Sequence, residues 1–173
     1  MELLKDGGRA AIVLPDGTLF GEGIKTRIKK KMLEECNLHT IVRLPKSVFA
    51  PYTSIATNVL FLTKGEPTNE VWYYEHPLPV GVKAYSKTKP MQLKEFIVEK
   101  KWWDKRKENE YAWKVSAQHI AANNYNLDIK NPNTPMETHE DPDELLAKYA
   151  DAVKAVQVLQ EQLKVSLYES LGN

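Results

Sequence analysis

Apolar residues along the chain change their period several times, and each change marks an element. Ala10-Ala11-Ile12-Val13-Leu14 is a continuous apolar run between the turn signal Gly7-Gly8-Arg9 and Pro15. Such a run predicts a strand buried on both faces, as in a parallel sheet. Pro15-Asp16-Gly17 breaks it, and Asp16 reads as a turn former. From Gly23 the spacing becomes helical: Ile24, Ile28 and Met32 recur four apart, and Leu33 and Cys36 widen the stripe. Lys25, Lys29, Lys30 and Glu34 take the opposite face, and Asn37 is the expected stop. Residues 38–44 and 57–63 predict two more strands, closed by Pro45 and by Lys64-Gly65. The loop 45–56 between them holds Phe49, Pro51 and Tyr52 among small residues. A loop of that size with aromatic side chains suits a functional role better than a tight hairpin turn.

After Pro67 the texture changes. Val71-Trp72-Tyr73-Tyr74 is rich in strand formers, and Pro77, Pro79 and Gly81 break any regular element after it. Residues 91–106 predict a helix with Leu93, Phe96 and Ile97 inward and a basic tail, Lys100-Lys101-Trp102-Trp103-Asp104-Lys105-Arg106-Lys107. Residues 112–120 and 123–129 carry no clean period, the second reading as a loop leading into a short extended segment. Asn131-Pro132-Asn133-Thr134-Pro135 has linker composition. The last element is the most regular. Asp141 is placed as an N-cap, Pro142 at the first helical position and Glu144 to close a capping box. Beyond it Leu145, Tyr149, Ala152, Val156, Leu159 and Leu163 alternate four and three apart, with Leu146, Val153 and Leu167 beside them. That stripe must be buried against its own domain or against another chain.

Composition narrows the function classes. Hydrophobic residues at 42% with 27% charged residues suit a globular chain and exclude a disordered one. The net charge of +1 means that any nucleic-acid contact must come from a local patch. One cysteine, Cys36, excludes an intrachain disulfide framework, and its place on the apolar side of the helix makes it a buried structural thiol. His39, His76, His119 and His139 have no ligand spacing, so no metal site is expected. No apolar run approaches the ~20 residues of a membrane span, and a cytoplasmic protein is the simplest reading.

Specific residues go further than pattern. The run 4–20, Leu4-Lys5-Asp6-Gly7-Gly8-Arg9 through Leu14-Pro15-Asp16-Gly17-Thr18-Leu19-Phe20, resembles the segment after the catalytic motif in modification subunits of type I restriction-modification systems, which are DNA adenine N6-methyltransferases. So do Ile41-Val42-Arg43-Leu44-Pro45-Lys46-Ser47-Val48-Phe49 and Thr57-Asn58-Val59-Leu60-Phe61-Leu62-Thr63-Lys64-Gly65. Trp113-Lys114-Val115-Ser116 and Asn124-Tyr125-Asn126-Leu127-Asp128-Ile129 resemble that family's late segments. Where Ser54 stands the family often has glycine.

The resemblance implies an α/β fold: the C-terminal part of a Rossmann-like class I methyltransferase sheet (strand, helix, strand, strand), then a mixed α+β region and a long C-terminal helix. The expected divisions are 1–66 for the catalytic-domain part, 67–130 for the mixed extension, 131–141 for a linker and 142–171 for an assembly helix. The family's S-adenosylmethionine segment and its Asn-Pro-Pro-Phe/Tyr catalytic loop belong upstream of Gly7 and are missing; Asn131-Pro132, followed by Asn133, is no substitute. No catalytic residue and no cofactor binding are therefore expected of this piece alone, although the parent subunit uses S-adenosylmethionine.

By the same resemblance the loop between the last two strands supplies an aromatic ring to the extruded target base, with Phe49 and Tyr52 as candidates. The plainer reading has Phe49 capping the core. Lys100, Lys101, Lys105 and Arg106 could track phosphates, or form a solvated helix end with its tryptophans partly buried. Leu145, Tyr149, Val153, Val156, Leu159 and Leu163 would contact the helical regions of a specificity subunit, or pair within the chain. The implied partners are the specificity and restriction subunits and DNA, with no membrane. Three functions remain: an inactive piece of a methylase, a non-catalytic module that binds the specificity subunit or DNA, and an unrelated α/β domain.

Overall fold

Five strands form one mixed sheet in the order β1-β3-β2-β4-β5. They are β1 (Arg9–Pro15), β2 (Cys36–Leu44), β3 (Thr57–Lys64), β4 (Glu70–Glu75) and β5 (Ala112–Ser116). The computed structural model describes residues 1–134 and 142–171. Strand β3 runs antiparallel to both β1 and β2, so β1 and β2 point the same way although β3 lies between them. Strand β4 joins β2 in parallel, and β5 closes the sheet antiparallel to β4. The stretch after residue 66 therefore extends the same sheet. Helices α1 (Asp16–Leu19), α2 (Ile24–Glu35), α3 (Ile97–Asp104) and α4 (Ala117–Ala122) complete the unit Met1–Thr134.

Strand alternation sends side chains to two covered faces. On one, Met32 and Leu33 of α2 pack with Leu19, Leu38, Ile41, Leu60, Leu62 and Tyr73. Tyr73 stacks flat on Trp113, its partner across the β4–β5 ladder, with centroids 5.3 Å apart. On the other face, Val42 and Tyr74 meet Trp102 of α3, while Phe61 meets Trp103 edge-on at 4.9 Å. Interior strand β2 is covered on both sides, with Thr40, Ile41 and Val42 buried in succession.

Four expectations need correction. Strand β1 is an antiparallel edge strand, and Val13 is 53% exposed, because no described residue covers that side of it. Helix α2 ends at Glu35, so Cys36 and Asn37 open β2; the thiol is buried there as a strand residue. Within α2, Ile24 and Ile28 face solvent while Lys29 is buried. Instead of one helix over 91–106, a 3-10 turn at Leu93–Phe96 leads into α3, and the register turns Glu99 and Trp102 inward. Leu93 and Ile97 point outward.

The second unit, Pro135–Asn173, is described as one helix, α5 (Pro142–Leu171). Its acidic first turn, Asp143 and Glu144, suits the positive end of the helix dipole. The expected Asp141 cap lies outside the described residues.

Candidate functional site

The carboxyl ends of β1 and β2 open onto two loops, 15–23 and 45–56. In open α/β sheets ligands bind outside the carboxyl ends of parallel strands. Here the two loops are braced to each other. The Asp16 amide donates to the Ala56 carbonyl at 3.0 Å, and the Asn58 side-chain amide donates to Asp16 Oδ1 at 2.6 Å. Asn58 is fully buried at the start of β3, so Asp16 is fixed from below and does more than turn the chain.

Two lysines of α2 hold the first loop by its carbonyls. Lys25 Nζ donates to Gly17 O at 2.9 Å, and Lys29 Nζ to Leu19 O at 2.6 Å and Gly21 O at 3.0 Å. Gly17 and Leu19 belong to the short helix α1, whose last carbonyls have no partner within the helix. Burial, then the charge of Lys25, pulls the Lys29 ammonium below its ordinary value. Helix arithmetic could have found this residue, since Lys29 precedes Met32 by three and Leu33 by four.

The second loop is a series of turns. Val48 N donates to Pro45 O at 3.1 Å, Ala50 N to Ser47 O at 3.0 Å, and Tyr52 N to Phe49 O at 2.9 Å. Ser47 Oγ accepts from Tyr85 N at 2.9 Å, and buried Tyr85 donates its hydroxyl to Glu95. Both candidate rings are presented at the surface: Phe49 is 41% exposed and Tyr52 is 86% exposed.

The basic candidates separate. Lys100, Lys101 and Lys105 are exposed. Arg106 lies over Trp103 at 4.7 Å and Trp102 at 5.8 Å, and donates to His39 O at 3.3 Å. It is thus engaged by the second core, a geometry that cation–π attraction favours. Between α3 and the sheet lies an apolar cavity of about 560 Å³ walled by Phe61, Phe96 and Trp103. Glu99 sits at its edge, buried and paired with His76 Nδ1. On α5 the six seam candidates, Leu145 through Leu163, are all solvent-facing.

Sequence reading missed three of these pairs: Arg43 with Asp128 at 2.6 Å, Asn58 with Asp16, and Glu99 with His76. Among the described residues no three His, Cys, Asp or Glu side chains converge as a metal site would need.

Residues 1–141 match the N-6 DNA Methylase family. The chain belongs to that family. The methylase subunit of the type I restriction enzyme EcoEI from Escherichia coli is 59% identical over 179 residues, covering 99% of this chain and 36% of the relative. A modification subunit from Vibrio vulnificus, assigned to a type I restriction enzyme, superposes with a TM-score of 0.70 at 51% identity, over 75% of this chain and 28% of that one. A structure solved for complex assembly and conformational transition of the type I R-M system matches at a TM-score of 0.71 and 34% identity, over 95% of this chain and 37% of its own. The chain thus spans 36% of the length of its EcoEI relative.

Proposed function

We propose that this N-6 DNA methylase chain supplies the target-base edge of a type I modification subunit whose whole length transfers a methyl group from S-adenosylmethionine to adenine N6 in DNA. The observation that carries the reading is the braced pair of loops at the carboxyl ends of β1 and β2, with Tyr52 presented to solvent. An extruded adenine needs a flat apolar surface, and stacking on an aromatic ring is worth ~1–3 kcal/mol per base. Tyr52 is the more exposed ring, with Phe49 joined to it by the turn bond from Tyr52 N to Phe49 O. Exposed Lys100, Lys101 and Lys105 would meet backbone phosphates; Arg106 holds the tryptophans that carry them.

In this reading β1, β3 and β2 are the last strands of a Rossmann-like sheet that continues beyond the free edge of β1. The half-exposed apolar side of β1 fits such a continuation. The methyl donor belongs to that continuation. The space enclosed beside α1 is about 70 Å³, against ~300–1,000 Å³ for a typical small-molecule site, and Asp16 and Asn58 are already bonded to each other. These residues alone do not fit S-adenosylmethionine, so residues 1–173 by themselves should be inactive.

A second reading has its own observation. Helix α5 keeps Leu145, Tyr149, Val153, Val156, Leu159 and Leu163 in solvent, a stripe that calls for a helical partner. We assign that partner as the specificity subunit, with the restriction subunit joining the assembly. A module that only binds would need nothing else.

Labelled methyl transfer to adenine in DNA separates the two. The frame, extended upstream to the length of its relatives and co-expressed with the specificity subunit, should methylate, and residues 1–173 should not. An extended protein that assembles but transfers no label would leave the binding module as the function.

A further inference from the structure

Segment 124–133 leaves α4 through two consecutive left-handed residues, Asn124 (φ 53°) and Tyr125 (φ 56°). Side chains rarely adopt that conformation. It is held by the Tyr125 amide donating to Ile120 O at 2.9 Å, and it turns the chain back across the first face of the sheet. There every few residues are fastened. Leu127 is buried; its amide donates to Leu19 O at 3.1 Å, and its carbonyl accepts the Tyr73 hydroxyl at 3.1 Å. Arg43 Nη2 donates to Asp128 Oδ1 at 2.6 Å and Nη1 to Ile129 O at 3.0 Å. Asn131 donates to Glu110 O at 2.7 Å, and Asn133 to Asn109 O at 2.9 Å.

The attachment points are informative. Leu19 ends the helix in loop 15–23, and Arg43 is the last but one residue of β2, at the foot of loop 45–56. One segment therefore grips both loops of the carboxyl edge from beneath. The grip at Arg43 is a two-point fork, which fixes direction as well as distance.

We propose that residues 124–133 form a strap that positions both loops for the target base, with Arg43 and Asp128 as the positioning residues. This rests on the function proposed above for the loops.

The test uses two readouts. In residues 1–173, Asp128→Asn should raise amide exchange in 16–23 and 45–56 by about tenfold or more, while the β3 amides of Leu60 and Leu62 stay protected. Asp128→Glu, which keeps the charge, should restore most of the protection. In the extended, assembled methylase, Asp128→Asn and Arg43→Lys should lower kcat/KM by roughly 10–100-fold, chiefly through KM for DNA, with KM for the methyl donor unchanged. Faster exchange confined to 124–133, or equal losses for both substrates, would overturn the strap. If the unmodified extended protein has no methylase activity, the proposed function fails, and the exchange experiment still decides whether the strap positions the loops.

Discussion

Removing the Glu99 carboxylate should unfasten α3 from the sheet. Helix α3 has eight residues, too few to be stable by itself. It is held by Trp102 in the second core and by Glu99 accepting from His76 Nδ1. His76 in turn extends the β2–β4 pairing, its amide donating to Arg43 O at 2.9 Å. The side chains of His76 and Glu99 are 2% and 8% exposed, against 52% and 61% for the pair Lys30–Glu34 on α2. The difference decides the magnitude. Exposed pairs contribute at most about 1 kcal/mol. Removing Glu99 takes away a buried hydrogen bond to a carboxylate and leaves His76 Nδ1–H without that acceptor, a loss of about 1.5–3 kcal/mol. Glu99→Ala therefore falls in the second class and Glu34→Ala in the first. Glu99→Gln still accepts from His76, so it loses only the charged share of the bond, about 1–1.5 kcal/mol.

Urea unfolding followed by tryptophan emission measures this cleanly, since Trp72, Trp102, Trp103 and Trp113 all lie in the sheet unit and none in α5. With a slope of about 1–3 kcal/mol/M, Glu99→Ala should lower the midpoint by roughly 0.5–3 M and Glu99→Gln by clearly less. Equal losses for the two variants, or a Glu99→Ala loss no larger than that of Glu34→Ala, would refute the account of α3.

Further outcomes rest on the same geometry. Val156→Asp with Leu159→Asp should leave the tryptophan-monitored transition within about 0.5 kcal/mol, both residues being exposed, while co-purification with the specificity subunit is lost. Intact assembly of that variant would remove the seam from the proposal. In the extended methylase Tyr52→Ala should raise KM for DNA by about 5- to 150-fold, the equivalent of ~1–3 kcal/mol of stacking, without changing the melting temperature. A melting temperature that falls with unchanged KM would make the ring structural. His39 is held below its ordinary value of 6.5 by burial and then by Arg106. The unfolded chain therefore takes up its proton first as pH falls through 6.5, and stability drops. His39→Gln should lessen the loss of melting temperature between about pH 7.5 and pH 5.5; an unchanged loss would show that His39 is not its source.

What could be read from the sequence was local. Strands β2 and β3 are rich in strand formers and closed by Pro45 and by Gly65, α5 shows an unbroken heptad-like stripe, and the loop 45–56 stands out by its length and its aromatics. Each of these depends on residues a few positions apart. Strand β1 misled because a continuous apolar run reports that both faces should be covered, and the described residues cover only part of it. Helix α3 misled because register, not composition, decides which of Leu93, Ile97, Glu99 and Trp102 turns inward.

At the carboxyl edge the sequence offered only the candidate rings Phe49 and Tyr52. The pairs around the loops of that edge and around α3 are far apart in sequence: 42 residues for Asn58 with Asp16, 23 for His76 with Glu99 and 85 for Arg43 with Asp128. Each charged partner, seen alone, looks like an ordinary solvated side chain. Topology is what brings them together. Strand β3 enters between β1 and β2, so the start of β3 meets the ends of both and sets Asn58 beside Asp16. Strand β4 lies parallel to β2 in the register Arg43↔Glu75, which puts His76 and the Asn131 contacts of Glu75 and Glu110 at that same edge. The chain after β5 returns across the sheet, and the buried anchor for that return is Leu127, one residue before Asp128. Arg43 and Asp128 are thus placed by strand order. For that reason a change in pairing register should disturb loop 45–56 more than a change at any one surface residue around it.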